Sequence, residues 1–393
     1  MRRHIGKGKS IGKPSVDNSL NSRISDQVRI LNWIVNTAIF RNVNRLILTG
    51  DVFDEVKPDN NLIVILIDWL YVCSSHNIDV HIISGNHDLK RVGDRYSSVL
   101  DIIESSNIPG VFIYNKIYTL NTEGVSFTMV PFRDKRSLSA KTVPEAIQKI
   151  SQCFPYEVMS MPYDNDKVMI GHLAIEKSFF TDEIDDVSNE IMMPIESFSE
   201  YDYVWMGHVH KPQVLNKSPY IAHIGSMDIS DFGETNQEKI VILYDPSTQN
   251  KFEEIKIPTR PLRRIRLEIP KSNDPTEYLI NEINRVHDQT SFKGALVKLE
   301  ITILDPEAPE LDRDKVYALL KDLGTYFVSN FSESRKSTVV TVEKKHIEDS
   351  AIKPKSAVKL WADLLEYDDE SEKTELIDLC NSIIDELTIK MEK

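Results

Sequence analysis

Residues 46–54 read LILTGDVFD. An apolar run long enough for one strand stops at Gly50, and the carboxylates Asp51 and Asp54 follow at once. Three further stretches end in the same way: HIISGNHD (81–88) with Asn86, His87 and Asp88, VMIGH (168–172) with His172, and VWMGHVH (204–210) with His208 and His210. Taken singly, each has a bland reading. Gly-Asp after a strand is a common turn, Gly-His-Val-His can be a polar turn, and a lone His172 is more often a hydrogen-bonded core residue. Four such endings together point to one shared metal site.

Ligands in α/β sheets gather outside the carboxyl ends of strands, where the rigid sheet aims loop residues into one crevice. Glycine there lets the backbone turn tightly and approach the site closely. In an extended segment residues two apart point the same way, so His208 and His210 can face one centre while Val209 faces the core. Carboxylate, amide oxygen and imidazole form a mixed O/N donor set that suits manganese or another divalent first-row ion, and the absence of cysteine disfavours a soft metal. The donors outnumber what one tetrahedral ion uses, so two ions are expected, with a carboxylate such as Asp51 able to bridge them.

The rest of the chain sets the context. Its 393 residues suffice for two or three domains, and 41% hydrophobic with 27% charged residues is a globular composition. A net charge of -14 argues against a general nucleic-acid coat, although residues 363–393 hold eleven Asp/Glu and three Lys/Arg while residues 1–13 hold five Lys/Arg and no acid. Cys73, Cys153 and Cys380 have no paired spacing, which fits a reducing cytoplasm. The longest apolar run, LIVILIDWLYVC (62–73), is interrupted by Asp68 and reads as a buried helix, so neither a membrane span nor a secretory leader is expected.

From about residue 25 to 245, helical patterns alternate with β-rich runs, as in an α/β or layered αββα domain. Strands are expected at 45–49, 80–84, 111–115, 125–130, 167–170, 203–206, 220–224 and 239–245, and helices at 24–41, 60–76 and 96–105. After IPTRPLRRIRLEIP (257–270) a smaller α+β domain is expected over 261–345, with helices at 275–287 and 310–324 capped by Asp274 and Asp312. Apolar residues at helical spacing then make 346–393 a helical tail.

In this order and spacing GDVFD, GNHD, GH and GHVH resemble the calcineurin-like metallophosphoesterases, and within them the SbcD-type DNA repair nucleases, including recombination endonuclease subunits of tailed phages. The resemblance covers roughly residues 4–345 and is firm to about 245. It implies a layered αββα phosphoesterase domain (1–260), an α+β DNA-capping domain (261–345) and a helical partner-binding tail (346–393). It further implies two divalent ions, read as Mn2+. Asp51 would bridge them, Asn86, His172 and His208 would hold one, and His210 and His4 the other. His87 would face the scissile phosphate, oriented by Asp88, and water would attack a phosphodiester between the ions. Arg260, Arg263 and Arg264 would contact DNA. Partners implied are DNA, an SbcC-type ABC ATPase engaging Trp361, Leu364, Leu365, Ile383 and Leu387, and a second copy of the chain, in the cytoplasm or, for a phage protein, the host cytoplasm.

The family's opening motif, Asp-x-His-x-Gly at the end of a first strand, is matched only in its second half by HIG (4–6). Arg2 stands at the Asp position and has no lone pair for a metal. The first strand is absent from the pattern, so His4 lacks visible support and the ion it would hold should be the weaker one. Two other functions remain open. One is a phosphoesterase acting on small molecules or phosphoproteins, and the other a nuclease-impaired subunit that positions an ATPase.

Overall fold

Strand β1 (Arg45–Leu48) follows helix α1 (Ser22–Phe40), whose buried residues Ile24, Ile30, Leu31, Ile34, Val35 and Ala38 recur at the helical period and face the core. Asn21 caps α1 by accepting from the Arg23 backbone N–H at 2.9 Å. Helix α2 (Asn60–Ser75) is the expected apolar helix, but it is buried on one side only: Leu62, Leu66, Trp69, Leu70 and Cys73 are covered, whereas Val64, Tyr71 and Val72 are exposed. Strands β2 (Asp79–Ile83) and β3 (Val111–Tyr114) complete a parallel sheet in the order β1-β2-β3. Between them, a hairpin of Leu89–Val92 and Arg95–Ser98 takes the start of the helix expected at 96–105, leaving only α3 (Leu100–Ser105).

A second sheet contains β4 (Tyr118–Thr122), β5 (Val125–Val130), β6 (Asp166–Gly171), β7 (Tyr203–Met206), β8 (Gln213–Lys217) and β9 (Tyr220–His223) in the order β8-β9-β7-β6-β5-β4. Its central strands β5, β6, β7 and β9 are parallel, and antiparallel β4 and β8 close its edges. Helix α4 (Val143–Met159) is absent from the expected elements; it carries Pro144 in its first turn, where proline is tolerated, and Pro155 in its interior, where it removes a backbone donor. It packs Ala146, Ile150 and Phe154 into the core on the side of β6 and β7. Two sheets between helices make the layered α/β architecture expected from the alternating pattern.

A hairpin, β10 (Ile240–Tyr244) and β11 (Phe252–Lys256), follows. Next comes a parallel β-α-β-α-β unit of β12 (Leu262–Ile269), α5 (Pro275–Gln289), β13 (Leu296–Ile303), α6 (Arg313–Asp322) and β14 (Phe327–Arg335). Asp274 and Asp312 cap its helices as expected, accepting from Glu277 and Lys315 N–H at 2.9 and 3.1 Å. The structure is a computed structural model that describes residues 5–14, 20–92, 95–179 and 191–336, with helical residues 358, 362, 373–374, 376–382 and 384. Those up to 336 belong to one compact unit and those from 358 on to a second. Arg2, His4, Trp361, Leu364, Leu365, Ile383 and Leu387 lie outside the described residues.

The start of the chain is better anchored than its sequence suggests. Ile5 is 1% exposed and pairs in parallel with Phe53: its N–H donates to the Val52 carbonyl at 2.9 Å, and Asp54 N–H donates to its own carbonyl at 3.3 Å. Among the described residues β1 and β10 each have one ladder neighbour. Consecutive residues of both, 45–49 and 241–245, line an apolar groove of about 810 Å³. Consecutive lining residues mean that each strand presents its backbone edge there rather than one face. Ile34 and Ala38 of α1 close the groove on one side, and Phe127, Ile170 and Trp205 of the second sheet on the other.

Candidate metal centre

The carboxyl ends of β1, β2, β6 and β7 meet, and the glycine in each motif is what lets them do so. A Cβ on Gly50 would lie 2.3 Å from His172 Nδ1, on Gly85 2.2 Å from the backbone N and Oδ1 of Asp51, and on Gly207 2.2 Å from the Thr49 carbonyl oxygen. No side chain fits at those separations. Asp51 and His208 themselves adopt φ of 49° and 72°. Left-handed backbone at non-glycine residues costs on the order of 1–3 kcal/mol each and collects at functional sites.

Inside this cradle the donors converge. His172, fully buried, donates Nδ1–H to the Thr49 carbonyl at 2.7 Å, so that in its neutral form the ring presents the Nε2 lone pair. That lone pair faces Asn86 Oδ1 at 2.9 Å and Asp51 Oδ2 at 3.1 Å. His208 Nδ1 stands 3.3 Å from the same amide oxygen and 3.4 Å from His172 Nε2. Asp51, His172 and His208 each offer a ligand atom within 4.8 Å of the others. Metal–ligand bonds of roughly 2.0–2.2 Å put ligands ~3–4 Å apart, so the spacing fits one divalent ion. Carboxylate, amide oxygen and imidazole nitrogens this close together form a donor set that fits a first-row divalent ion.

His87 stands apart from that cluster. Its backbone N–H donates to Asp51 Oδ1 at 2.9 Å and its Nδ1–H to the Asp54 carbonyl at 2.8 Å, which fixes the ring with Nε2 as the remaining nitrogen on a half-buried side chain. Asp88 does not orient it, contrary to expectation. The Asp88 carboxylate, fully buried, instead accepts from Val52 and Phe53 N–H at 2.9 and 3.3 Å and from Gly85 N–H at 2.9 Å. Asp88 therefore ties the β1 and β2 end loops together. Burial, and then the nearby Asp51 charge, push its carboxyl well above the usual range, against those three donors.

His210 faces a separate polar cluster that the sequence did not reveal. Its Nδ1 lies 2.9 Å from Glu234 Oε1. Burial raises the Glu234 carboxyl, yet the His210 hydrogen bond and the Lys239 charge outweigh it and hold the group at about 2. A carboxylate so held takes the His210 Nδ1–H and turns Nε2 outward. Lys239 completes the cluster, 3.0 Å from Glu234 Oε2 and donating to the His210 carbonyl at 3.0 Å. His223, buried, supports the same loop by donating to the Gly207 carbonyl at 2.8 Å. Val209 is 1% exposed, as its alternation with the two histidines requires.

The arginines expected at DNA are engaged within the protein. Arg260 forms a fork on Asp26, both contacts at 2.7 Å, donates to the Gly294 carbonyl and stacks 3.9 Å from the Tyr326 ring. Arg264 is paired with Glu300 at 2.8 and 2.9 Å, and Arg263 donates to the Ser291 and Leu262 carbonyls. The segment read as a basic surface thus joins β12 to its neighbours, because the parallel register brings Glu300 beside Arg264 and Arg266. These contacts fasten the segment within the protein, and contact of Arg260, Arg263 and Arg264 with DNA stands as a proposal.

Residues 21–212 match the model of the calcineurin-like phosphoesterases. The SbcD component of the SbcCD nuclease from Staphylococcus epidermidis is 27% identical over 262 residues, which are 62% of this chain and 66% of that protein, just under two thirds of its length. Similar solved structures include a dimetal phosphatase from Danio rerio, at 11% identity and a TM-score of 0.36 over 63% of this chain and 96% of that one. Another is a phosphopantetheinyl hydrolase from Mycobacterium tuberculosis, at 12% identity and a TM-score of 0.31 over 54% and 85% of the two chains. Residues 21–212, just under half of the chain, thus carry a calcineurin-like phosphoesterase domain.

Proposed function

We propose that this chain is a divalent-metal-dependent phosphodiesterase acting on DNA, the nuclease subunit of an SbcCD-like end-processing complex. The observation that carries the reading is the convergence of Asp51 Oδ2, Asn86 Oδ1, His172 Nε2 and His208 Nδ1, with His87 fixed beside them but outside the cluster. Asp51, Asn86, His172 and His208 would hold one divalent ion, proposed as Mn2+, and His210 is the residue proposed for a second, weaker position, with His4, outside the described residues, as its other proposed ligand. When bound, the ions would supply positive charge to phosphate oxygens and acidify water. His87 Nε2 faces the scissile phosphate and stabilises its charge or protonates the leaving oxygen. The staphylococcal relative, named as part of a nuclease, supports DNA as substrate and an SbcC-type ATPase as partner. The tail from about 352 is the assigned docking segment for that ATPase, and a homodimer in the cytoplasm is the proposed working form. Among the described residues no helix is long and apolar enough to cross a membrane.

The test is Mn2+-dependent cleavage of linear duplex DNA, run beside hydrolysis of a phosphomonoester. Preferential DNA cleavage, lost in His87→Ala, supports the reading. Monoester hydrolysis without DNA cleavage selects the small-phosphoesterase reading, which the internally paired arginines favour.

A further inference from the structure

We propose that the Lys7 ammonium is a built-in cation of this centre, held against the His210 ring where its charge weakens binding of a second divalent ion. The inference rests on the metal-centre reading above and assigns the charge on its second side to a residue of the chain itself. Lys7 Nζ lies 3.3 Å from His210 Nε2 and 3.4 Å from Nδ1. Near-equal distances to the two ring nitrogens place Nζ over the face of the ring, so its influence on an ion bound in the ring plane is that of a nearby charge.

The backbone holds Lys7 in this position from both sides. Gln27, 2% exposed on α1, accepts from Gly6 N–H at 2.9 Å and donates to the Lys7 carbonyl at 3.0 Å, gripping the peptide units on either side of the Gly6–Lys7 bond. Before it, Ile5 is fixed in its parallel bridge to Phe53. After it, Gly8 at φ +75° passes so close to the Ser230 carbonyl that an added Cβ would lie 3.0 Å away. Lys7 thus extends from a fixed loop and is not a surface side chain sampling many positions. The environment suits a cation: Asp54 is close enough to feel the Lys7 charge, and burial, its largest influence, raises the Asp54 carboxyl. A side-chain cation there would oppose phosphate charge without exchanging with solution. It would also disfavour a dication on His210 through charge repulsion.

Calorimetric Mn2+ titration of the full chain, with bound metal counted after dialysis, tests the assignment. The chain is expected to bind one ion tightly. Lys7→Met is expected to add a second site or tighten it at least tenfold, and Lys7→Arg, which keeps the charge, to stay at one. Lys7→Gln provides a polar, uncharged control of similar reach should the methionine variant fold poorly. Two equally tight ions in the unaltered chain, or unchanged metal content in both uncharged variants, would overturn the role of Lys7. Asp51→Asn separates this failure from a deeper one. If it loses metal while the Lys7 variants change nothing, only the Lys7 assignment falls; if it binds metal as well as the parent, the metal-centre reading falls with it.

Discussion

Gly85 shows how a single residue decides whether the site can exist. Its missing Cβ is the space in which Asp51 presents both its backbone N and Oδ1, at 2.2 Å from where that carbon would be. Gly85→Ala must push Asp51 or the loop after β2 aside, and overpacking of this kind costs about 1–3 kcal/mol. The expected result is a lower melting temperature together with weaker Mn2+ binding, read by thermal denaturation with and without the ion. Full metal affinity in the variant would mean that Asp51 is not a ligand. Glycine before each candidate ligand was legible, since carbon-free space at a strand end has a sequence signature. The acceptor that sets the His172 tautomer was not: it is the Thr49 carbonyl, and a main-chain oxygen carries no mark in the side-chain alphabet. Glu234 was hidden for another reason. It reaches His210 from 24 residues further along, through a turn that no periodicity announces. Asp88 misled because an acid beside a histidine reads as its orienting partner, whereas the loop turns its carboxylate onto three backbone N–H groups.

Among the elements, β2 carries a histidine outside the site that makes a distinct prediction. His81 is 3% exposed, stacks on Phe112 at 4.9 Å and has Nδ1 2.7 Å from the Tyr114 hydroxyl. Burial, helped by the Arg45 charge, lowers its pKa from 6.5 to about 4. Between those values the unfolded chain binds a proton that the folded chain refuses, so stability falls as pH drops through the window and levels off below it. At ~1.4 kcal/mol per pKa unit the loss approaches roughly 3 kcal/mol. Melting temperatures between pH 7 and 4 should therefore fall less steeply in His81→Phe than in the parent, and parallel curves would refute the assignment. Strands β1, β2, β6 and β7 were legible as apolar runs ending in glycine. Helix α4 was not, since Pro155 lies within it.

At the scale of the whole molecule, the unit after residue 260 is fastened to the phosphoesterase layers by an ion-pair node. Arg23, fully buried, binds Asp26 at 2.6 Å and the Ile229 carbonyl at 2.6 Å, and Arg260 joins the same Asp26 from the other side. Removing one partner of a buried pair costs ~3–5 kcal/mol in general, and the remaining Arg23–Asp26 contact should place Arg260→Ala at or below the lower end. The expected outcome is a drop in melting temperature with little change in the salt dependence of DNA binding. A shallower salt slope with unchanged stability would return Arg260 to the DNA surface. Composition could not distinguish these roles, because a run of arginines looks the same whether it faces phosphate or Glu300. The central claim is narrower: Asp51, Asn86, His172 and His208 hold an ion while His87 acts on substrate. Calorimetric Mn2+ binding to Asp51→Asn and His87→Ala, each paired with its cleavage rate, tests it most directly. The account predicts that Asp51→Asn loses metal affinity by at least a hundredfold and activity with it, whereas His87→Ala binds metal as the parent does and loses cleavage alone. An equal loss of metal from both variants would contradict it.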